Sequence, residues 1–390
     1  MHQVESYALA CGAKIDKPFL YEHYFPTPSG VEYITLQKEA KFPSRQYKYW
    51  QQVVDLIYPV LSKNNIKILQ IGTPEDKPLE NVVFLGGATS IKQVHYVIRK
   101  SILHLGIDSF AVHVASNFGK KIVALYSNMR PENSGPYWSS PEDCKLILSP
   151  LNSKRPSYSF NENPKTINKI KPEEIAENVC SLLGLDFKKP YETIYLGERY
   201  GEDNFFVFIP DSLHFVEENN DKPIEYRMDY HFNEQLLATQ LQICKCGIVT
   251  DRPINLDILR NHRPNVSHLI YKITEDDSPK FVHSVRKLGV KIMLVSKLSK
   301  EQVSKKKMDY YSIGGINVIE EKEQDVIDKL NESKNLFYKS SKVIMSNKQT
   351  YSSRPKYDKN TPSMGNFEAV EKSEEFYDDL DHFHIVKLLD

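Results

Sequence analysis

Gly106-Ile-Asp-Ser-Phe-Ala-Val-His-Val-Ala-Ser-Asn-Phe-Gly-Lys-Lys-Ile-Val-Ala-Leu-Tyr126 holds the transitions that decide the fold. An apolar run from Ser101 ends at Asp108, and a helix is predicted over Phe110–Phe118. Gly119 stops that helix, and Lys121–Tyr126 follows as a buried strand. Strand, helix, strand in this rhythm makes a parallel sheet covered on both faces. Ligands of such sheets bind beyond the carboxyl ends of the strands. A helix that starts there turns free N–H groups and the positive end of its dipole toward an anion such as phosphate. Asp108 and Ser109 can cap the helix, and His113 stands about one turn further on. A plain capped helix with a core histidine accounts for the same pattern equally well.

Working outward, Tyr33–Gln37 and Ile66–Ile71 read as strands, and Val82–Leu85 as a short strand or loop. Tyr47–Leu61 and Thr89–Lys100 carry apolar residues at helical spacing, and Glu173–Leu183 closes the series as a helix after Pro172. A short polar hinge at Leu185–Tyr191 leads into a second series. Strands are expected at Thr193–Glu198, Phe205–Ile209, Ile243–Thr250, Val266–Ile273 and Val290–Ser296. Helices are expected at Phe232–Leu241, Ile254–Asn261, Pro279–Leu288 and Ser299–Lys307. The expected division is a linker-like segment 1–32, a first α/β domain 33–186, a second α/β domain 187–338, and a region 339–390. That last region is predicted to be a tail or crossover closed by a helix over Phe376–Leu389.

At 390 residues the chain can bury two cores, and its 40% apolar and 26% charged residues are ordinary for a globular protein. Lys+Arg and Asp+Glu both number 51, which removes the usual electrostatic argument for nucleic-acid binding. Five scattered cysteines (Cys11, Cys144, Cys180, Cys244, Cys246) form no disulfide or zinc pattern, so free thiols in a reducing compartment are expected. Cys244 and Cys246 read as strand residues facing one side. With neither a leader pattern nor a run of about 18 apolar residues, a cytoplasmic chain without a membrane span is expected. Asp379-Leu-Asp381 reads as solvated charge in an acidic tail.

The opening run resembles the signature of family-nine glycosyltransferases, the ADP-heptose:lipopolysaccharide heptosyltransferases. The likeness lies at Asp108, Ser109, His113, Ala115, Gly119, Lys120, Val123, Ala124, Leu125 and Tyr126, with Gly135-Pro-Tyr137 downstream. Lys41-Phe-Pro43, Gly72-Thr-Pro-Glu75, Gly86–Ile91 and Lys169–Leu183 are similar to further segments of that family, in the same order. The resemblance implies a nucleotide-sugar donor domain over Tyr33–Leu183. It gives Asp108, Ser109 and His113 as donor-diphosphate contacts, Lys41 as a diphosphate cation and Glu75 as a ribose or base contact. A departing nucleoside diphosphate develops negative charge that such groups stabilise without a metal or cofactor.

Two departures shape the expectation. Phe110 stands where the family has glycine, and the domain that normally precedes the donor domain has no counterpart here. The expected architecture is therefore α/β, with two Rossmann-like domains facing a cleft (GT-B-like) and the donor domain first. The second domain would supply the acceptor site, with Asp229, His231 and Asp251 as base candidates near strand ends. The expected function is metal-independent transfer of a sugar from a nucleotide diphosphate to an acceptor hydroxyl. The acceptor would be a glycan, a lipopolysaccharide or a modified nucleobase in DNA, the last not favoured. Two alternatives stay open: a non-catalytic nucleotide-binding or scaffolding protein, and a half-enzyme needing a partner acceptor subunit. The half-enzyme predicts an exposed apolar patch near residues 1–30.

Overall fold

The computed structural model describes residues 1–150, 155–216, 222–319, 324–363, 368–369 and 374–389. The chain divides into two compact units, one essentially Met1–Thr193 and the other Ile194–Leu388.

The first unit runs α1 (Gln3–Cys11), β1 (Glu32–Leu36), α2 (Trp50–Lys63), β2 (Ile66–Gln70), β3 (Val83–Phe84), α3 (Ile91–Lys100) and β4 (Leu103–Ile107). It continues with α4 (Phe110–Asn117), β5 (Lys121–Tyr126), α5 (Pro131–Ser134), β6 (Cys144–Leu148) and α6 (Pro172–Leu183). The strands form one parallel sheet of order β3-β2-β1-β4-β5-β6. The winding reverses between β1 and β4, and that switch point is where a doubly wound sheet opens a crevice at its carboxyl edge. Val94, Val97 and Ile98 of α3 and Ala111, Val112 and Ala115 of α4 share a core with Leu69, Ile122, Ala124 and Tyr126. The crossovers of the other arm lie on the opposite face, where α2 packs against α6.

Local chemistry sets the element ends. Ser90 and Gln93 close a capping box at the start of α3. The helix expected from Tyr47 starts only at Trp50, because the residues before it bond elsewhere. The Tyr47 hydroxyl donates to the Ile170 carbonyl at 2.8 Å, and the Lys48 N–H to Asn168 Oδ1 at 3.0 Å. Strand β6 went unrecognised in the sequence because only Ile147 of its five residues is buried, so no apolar rhythm marks this edge strand.

The second unit comprises β7 (Tyr191–Leu196), β8 (Phe205–Phe208), β9 (Ile224–Arg227), α7 (Glu234–Ile243), β10 (Cys246–Thr250), α8 (Leu256–Asn261), β11 (Val266–Ile273), α9 (Lys280–Lys287), β12 (Lys291–Ser296) and α10 (Lys300–Tyr310). After these come β13 (Ile316–Val318), α11 (Gln324–Glu332), β14 (Leu336–Ser340), β15 (Lys342–Ser346), β16 (Gln349–Tyr351), α12 (Arg354–Asp358), β17 (Glu368–Ala369), α13 (Glu374–Asp378) and β18 (Phe383–Leu388). Two sheets result, of order β13-β12-β11-β10-β9-β8-β15-β16 and β17-β14-β18-β7. From β8 to β13 the chain always steps the same way, so right-handed crossovers bring α7–α10 to one face. There Leu237, Leu241, Leu259, Val282, Val285 and Tyr310 pack on Tyr226, Ile248, Leu269, Tyr271 and Leu294. Glu225 and Arg227, alternating with Tyr226 on β9, turn to the other face and are also buried.

Three expectations for this half are corrected. The region from 339 is structured through β15, β16 and α12, and its final stretch ends in strand β18 rather than a helix. Phe383, Ile385 and Val386 are fully buried, and a strand covered on both faces reads as a continuous apolar run that periodicity cannot tell from a helix. Residues 364–367, 370–373 and 390 of that region lie outside the described residues. Asp379 is an ion-pair partner of nearly buried Lys342 at 2.7 Å, where solvated charge was expected. Cys244 follows α7 and only Cys246 lies in β10; all five cysteines are free. Among the described residues no helix is long and apolar enough to cross a membrane.

Candidate functional site

The switch point of the first sheet joins Gln37, after β1, to Asp108 and Ser109, after β4. The Gln37 N–H donates to the Leu105 carbonyl at 3.0 Å, and Ser109 Oγ donates to Gln37 Oε1 at 2.5 Å. Engaged with Gln37, the Ser109 side chain does not cap α4. The first-turn N–H groups of that helix are therefore offered to the crevice. Gly106 permits the close pairing, since a Cβ there would stand 2.9 Å from His104 Nε2 and 3.3 Å from the Gln37 carbonyl oxygen.

Asp108 is nearly buried, and its partner is Arg45, on a short 3-10 turn over Pro43–Arg45. Arg45 Nη1 lies 3.1 Å from Asp108 Oδ2 and donates to the Asp108 carbonyl at 3.0 Å. Arg45 Nε donates to Asn128 Oδ1 at 3.1 Å, and the guanidinium lies 4.6 Å from the centre of the Phe42 ring. Ser134 Oγ donates to Asp108 Oδ2 at 3.1 Å. Burial raises the Asp108 pKa above the ordinary carboxylate value, with Arg45, Ser134 and His113 opposing the rise. Burial likewise lowers the pKa of His113, against the pull of Asp108, so the imidazole is neutral at pH 7. The hydroxyl of Tyr126, at the end of β5, is buried without a hydrogen-bond partner and interacts electrostatically with Asp108 and Arg45.

Helix α1 is tied to the segment that follows α5, where the Tyr137 hydroxyl donates to Glu5 Oε1 at 3.4 Å. His2 caps the helix by accepting the Val4 N–H through Nδ1, donates from Nε2 to the Gly135 carbonyl at 3.0 Å, and sets its ring 4.8 Å from that of Tyr137. No residue of α1 is buried. Met1, Tyr7, Leu9, Ile15, Phe19, Tyr21 and Tyr24 are all exposed.

Of the five expected donor residues, the structure brings together Asp108, Ser109 and His113. Lys41 and Glu75 are exposed. Lys41 lies just before the 3-10 turn, and Glu75 on the Gly72–Asp76 turn after β2, which Asp76 closes by accepting the Thr73 N–H at 3.0 Å. The cation that meets Asp108 is Arg45. Gln37, Asn128, Ser134 and Arg45 were not singled out in the sequence. Gln37 follows β1 directly and Asn128 stands two residues past β5, positions that could have marked them.

In the second unit, Asp229 and Asp251 follow the neighbouring parallel strands β9 and β10, with His231 close behind. Asp229 accepts two hydrogen bonds from Arg227, both 2.7 Å, and a third from Lys272. Its burial alone would raise the carboxyl pKa, but Arg227 and Lys272 bring it down to about 2. A carboxylate so tightly held is an anchor and a weak base. Asp251 pairs with Arg252 at 2.9 Å and is partly exposed, and His231 is exposed. Among the described residues no three His, Cys, Asp or Glu side chains converge as a metal site would require.

Residues 16–161 match the model of glycosyltransferase family 9 (heptosyltransferase), which includes every expected donor residue. The match takes in the strand-free segment before Tyr33 and stops short of α6. No curated protein matches the chain. Among solved structures, a family 9 glycosyl transferase from Veillonella parvula is 18% identical over 46% of this chain and 50% of that one, with a TM-score of 0.33. The E. coli ADP-heptose LPS heptosyltransferase II is 20% identical over 40% and 47%, with a TM-score of 0.32. The iron-containing dodecameric glycosyltransferase TibC from enterotoxigenic E. coli is 10% identical over 44% and 51%, with a TM-score of 0.34. The chain thus spans about half the length of the structures it matches.

Proposed function

We propose that the first unit binds a nucleoside-diphosphate sugar at its switch point and that the chain transfers the sugar to an acceptor hydroxyl. One observation carries this reading: the start of α4 opens uncapped into a crevice whose buried acid, Asp108, is already neutralised by Arg45. An unpaired carboxylate there would repel a diphosphate, whereas the ion pair leaves the helix N–H groups free to hold one.

In this reading the leaving diphosphate develops charge toward α4, where fixed dipoles and the Tyr126 hydroxyl stabilise it. Neutral His113 donates a hydrogen bond to it, and no metal or cofactor is needed. The acceptor hydroxyl must lose a proton, for which Asp251 is better suited than the anchored Asp229. The acceptor is a glycan, a lipopolysaccharide or another hydroxyl compound.

The test is a thermal-shift screen of ADP, UDP, GDP, CDP and dTDP on wild type and Asp108→Asn. A nucleotide at 100 times its dissociation constant stabilises the folded state by about 2.7 kcal/mol. A shift with one nucleotide is expected, and Asp108→Asn, which leaves the Arg45 charge beside the diphosphate, is expected to keep it, while no shift with any would sink the proposal. The exposed side chains from Met1 to Tyr24 favour a second reading, a half-enzyme completed by a partner subunit. Turnover by the isolated chain rules that reading out.

A further inference from the structure

Beside Arg45, the loop after β6 is laced to the switch point through its backbone. Ser44 Oγ and Asn128 Nδ2 each donate to the Ser159 carbonyl at 2.9 Å. The Ser44 N–H donates to the Phe160 carbonyl at 3.2 Å, and the Tyr158 N–H to the Asn128 carbonyl at 3.0 Å. Ser44 and Asn128 are themselves buried. A loop tied this way would ordinarily tuck its apolar side chains inward. Instead it turns two rings to solvent, Tyr158 at 52% exposure and Phe160 at 48%.

Tyr158 also stands at φ +53°, in the left-handed region that a bulky side chain avoids. Strain of this kind persists where the surroundings impose it, often at ligand clamps. Phe160 meets Phe42 edge to face at 4.9 Å, and Arg45 lies over Phe42. Contacts therefore run unbroken from Asp108 through Arg45 and Phe42 to Phe160.

We infer that Tyr158 and Phe160 form a stacking platform for the transferred sugar ring, an assignment that rests on the donor reading above. A nucleoside-diphosphate sugar carries its two ring systems at opposite ends of the diphosphate. With the diphosphate at the start of α4, one end points toward β2 and the polar Gly72–Asp76 turn. The other points toward β5 and β6, whose following loops carry Asn128 and the two exposed rings. Glu75 on the polar turn suits the hydroxyls of a ribose. Aromatic faces suit the apolar C–H face of a sugar and leave its hydroxyls free for polar neighbours.

Calorimetric titration of the full chain with paired ligands tests this: ADP against ADP-heptose, and UDP against UDP-glucose. Phe160→Ala and Tyr158→Gly leave the affinity for the free diphosphate unchanged and weaken its sugar conjugate about fivefold or more. Tyr158→Gly suits the left-handed backbone and so guards against loss of folding, while Tyr158→Phe keeps the ring and wild-type affinity. Equal weakening of diphosphate and conjugate would place the nucleobase on the rings and overturn the inference. Unchanged affinities in both variants would overturn it too. Failure of the wild type to bind any of the five nucleotides of the thermal-shift screen, or a sugar conjugate of any of them, would overturn the donor reading itself, and the platform with it.

Discussion

Arg45→Met keeps the length of the side chain and removes its charge, leaving Asp108 nearly buried with no cation beside it. The pair stands at 3.1 Å, with side chains 15% and 5% exposed. At an effective dielectric of about 20, that separation corresponds to a gross attraction of about 5 kcal/mol. Removing one partner of a buried pair costs about 3–5 kcal/mol, because the survivor keeps its desolvation penalty. The melting temperature of a unit this size should fall by about 6–20 °C. The pH dependence follows from the raised folded pKa of Asp108. A raised carboxyl pKa favours the folded state at acid pH, and that benefit is lost as pH rises through the folded value. Arg45→Met raises the folded pKa further, so its deficit relative to wild type is largest at neutral pH and shrinks toward pH 4. Asp108→Asn in the Arg45→Met background should restore at least half of the loss. Differential scanning fluorimetry of the four proteins across pH gives the cycle. An equal loss in single and double variants would refute the charge argument and leave only the lost contacts with Asn128 and Phe42.

Two further outcomes follow from the first unit. Burial holds His104 down from 6.5 to about 3, so stability is full above pH 6.5 and falls by about 1.4 kcal/mol per pH unit as the solution is acidified toward 3, about 5 kcal/mol in all. His382 and His384 in the second unit are also depressed by burial, so urea titrations across pH should show a shallower pH slope for His104→Asn than for wild type, and an unchanged slope would count against the assignment. Gly119 ends α4 at φ +62° with open space where a Cβ would go. Gly119→Ala should therefore cost about 1–2 kcal/mol of backbone energy and nothing from crowding, a value chemical denaturation can check.

The β/α alternation was legible because Ile122–Tyr126 is a continuous apolar run and Ile66–Ile71 is a mostly apolar one that ends at Gly72. Asp108, Ser109 and His113 were legible for a different reason, their place at a strand-to-helix transition. Arg45 was not. Its role depends on the 3-10 turn folding back across the sheet, and nothing in Phe42-Pro-Ser-Arg45 states which strand end that turn will reach. Lys41, four residues earlier, drew attention through a resemblance of local spacing, yet it is exposed. Strand β9 was missed because Glu225 and Arg227 alternate with Tyr226, which reads as a solvated edge. Their burial depends on groups distant in the chain, Arg199 and Lys342 near Glu225 and Asp379 near Arg227, which no local pattern states. The fate of Phe376–Leu389 turned on whether its last residues would pair with β14 and β7 in a second sheet, which local periodicity does not contain.

The pairing of Arg45 with Asp108 joins residues 63 apart in the chain. Closing a loop that long removes about 4 kcal/mol of chain entropy before any contact is made. Each arm of the sheet can zip locally, β1 with β2 and β4 with β5, but the crevice exists only once the arms have met. On the ribosome, moreover, its walls await Asn128 and Ser134, which emerge after every strand but β6 has been made. A nascent chain stopped at α3 could hold half of a sheet and no site at all, so the binding crevice is among the last features the first unit acquires as it folds.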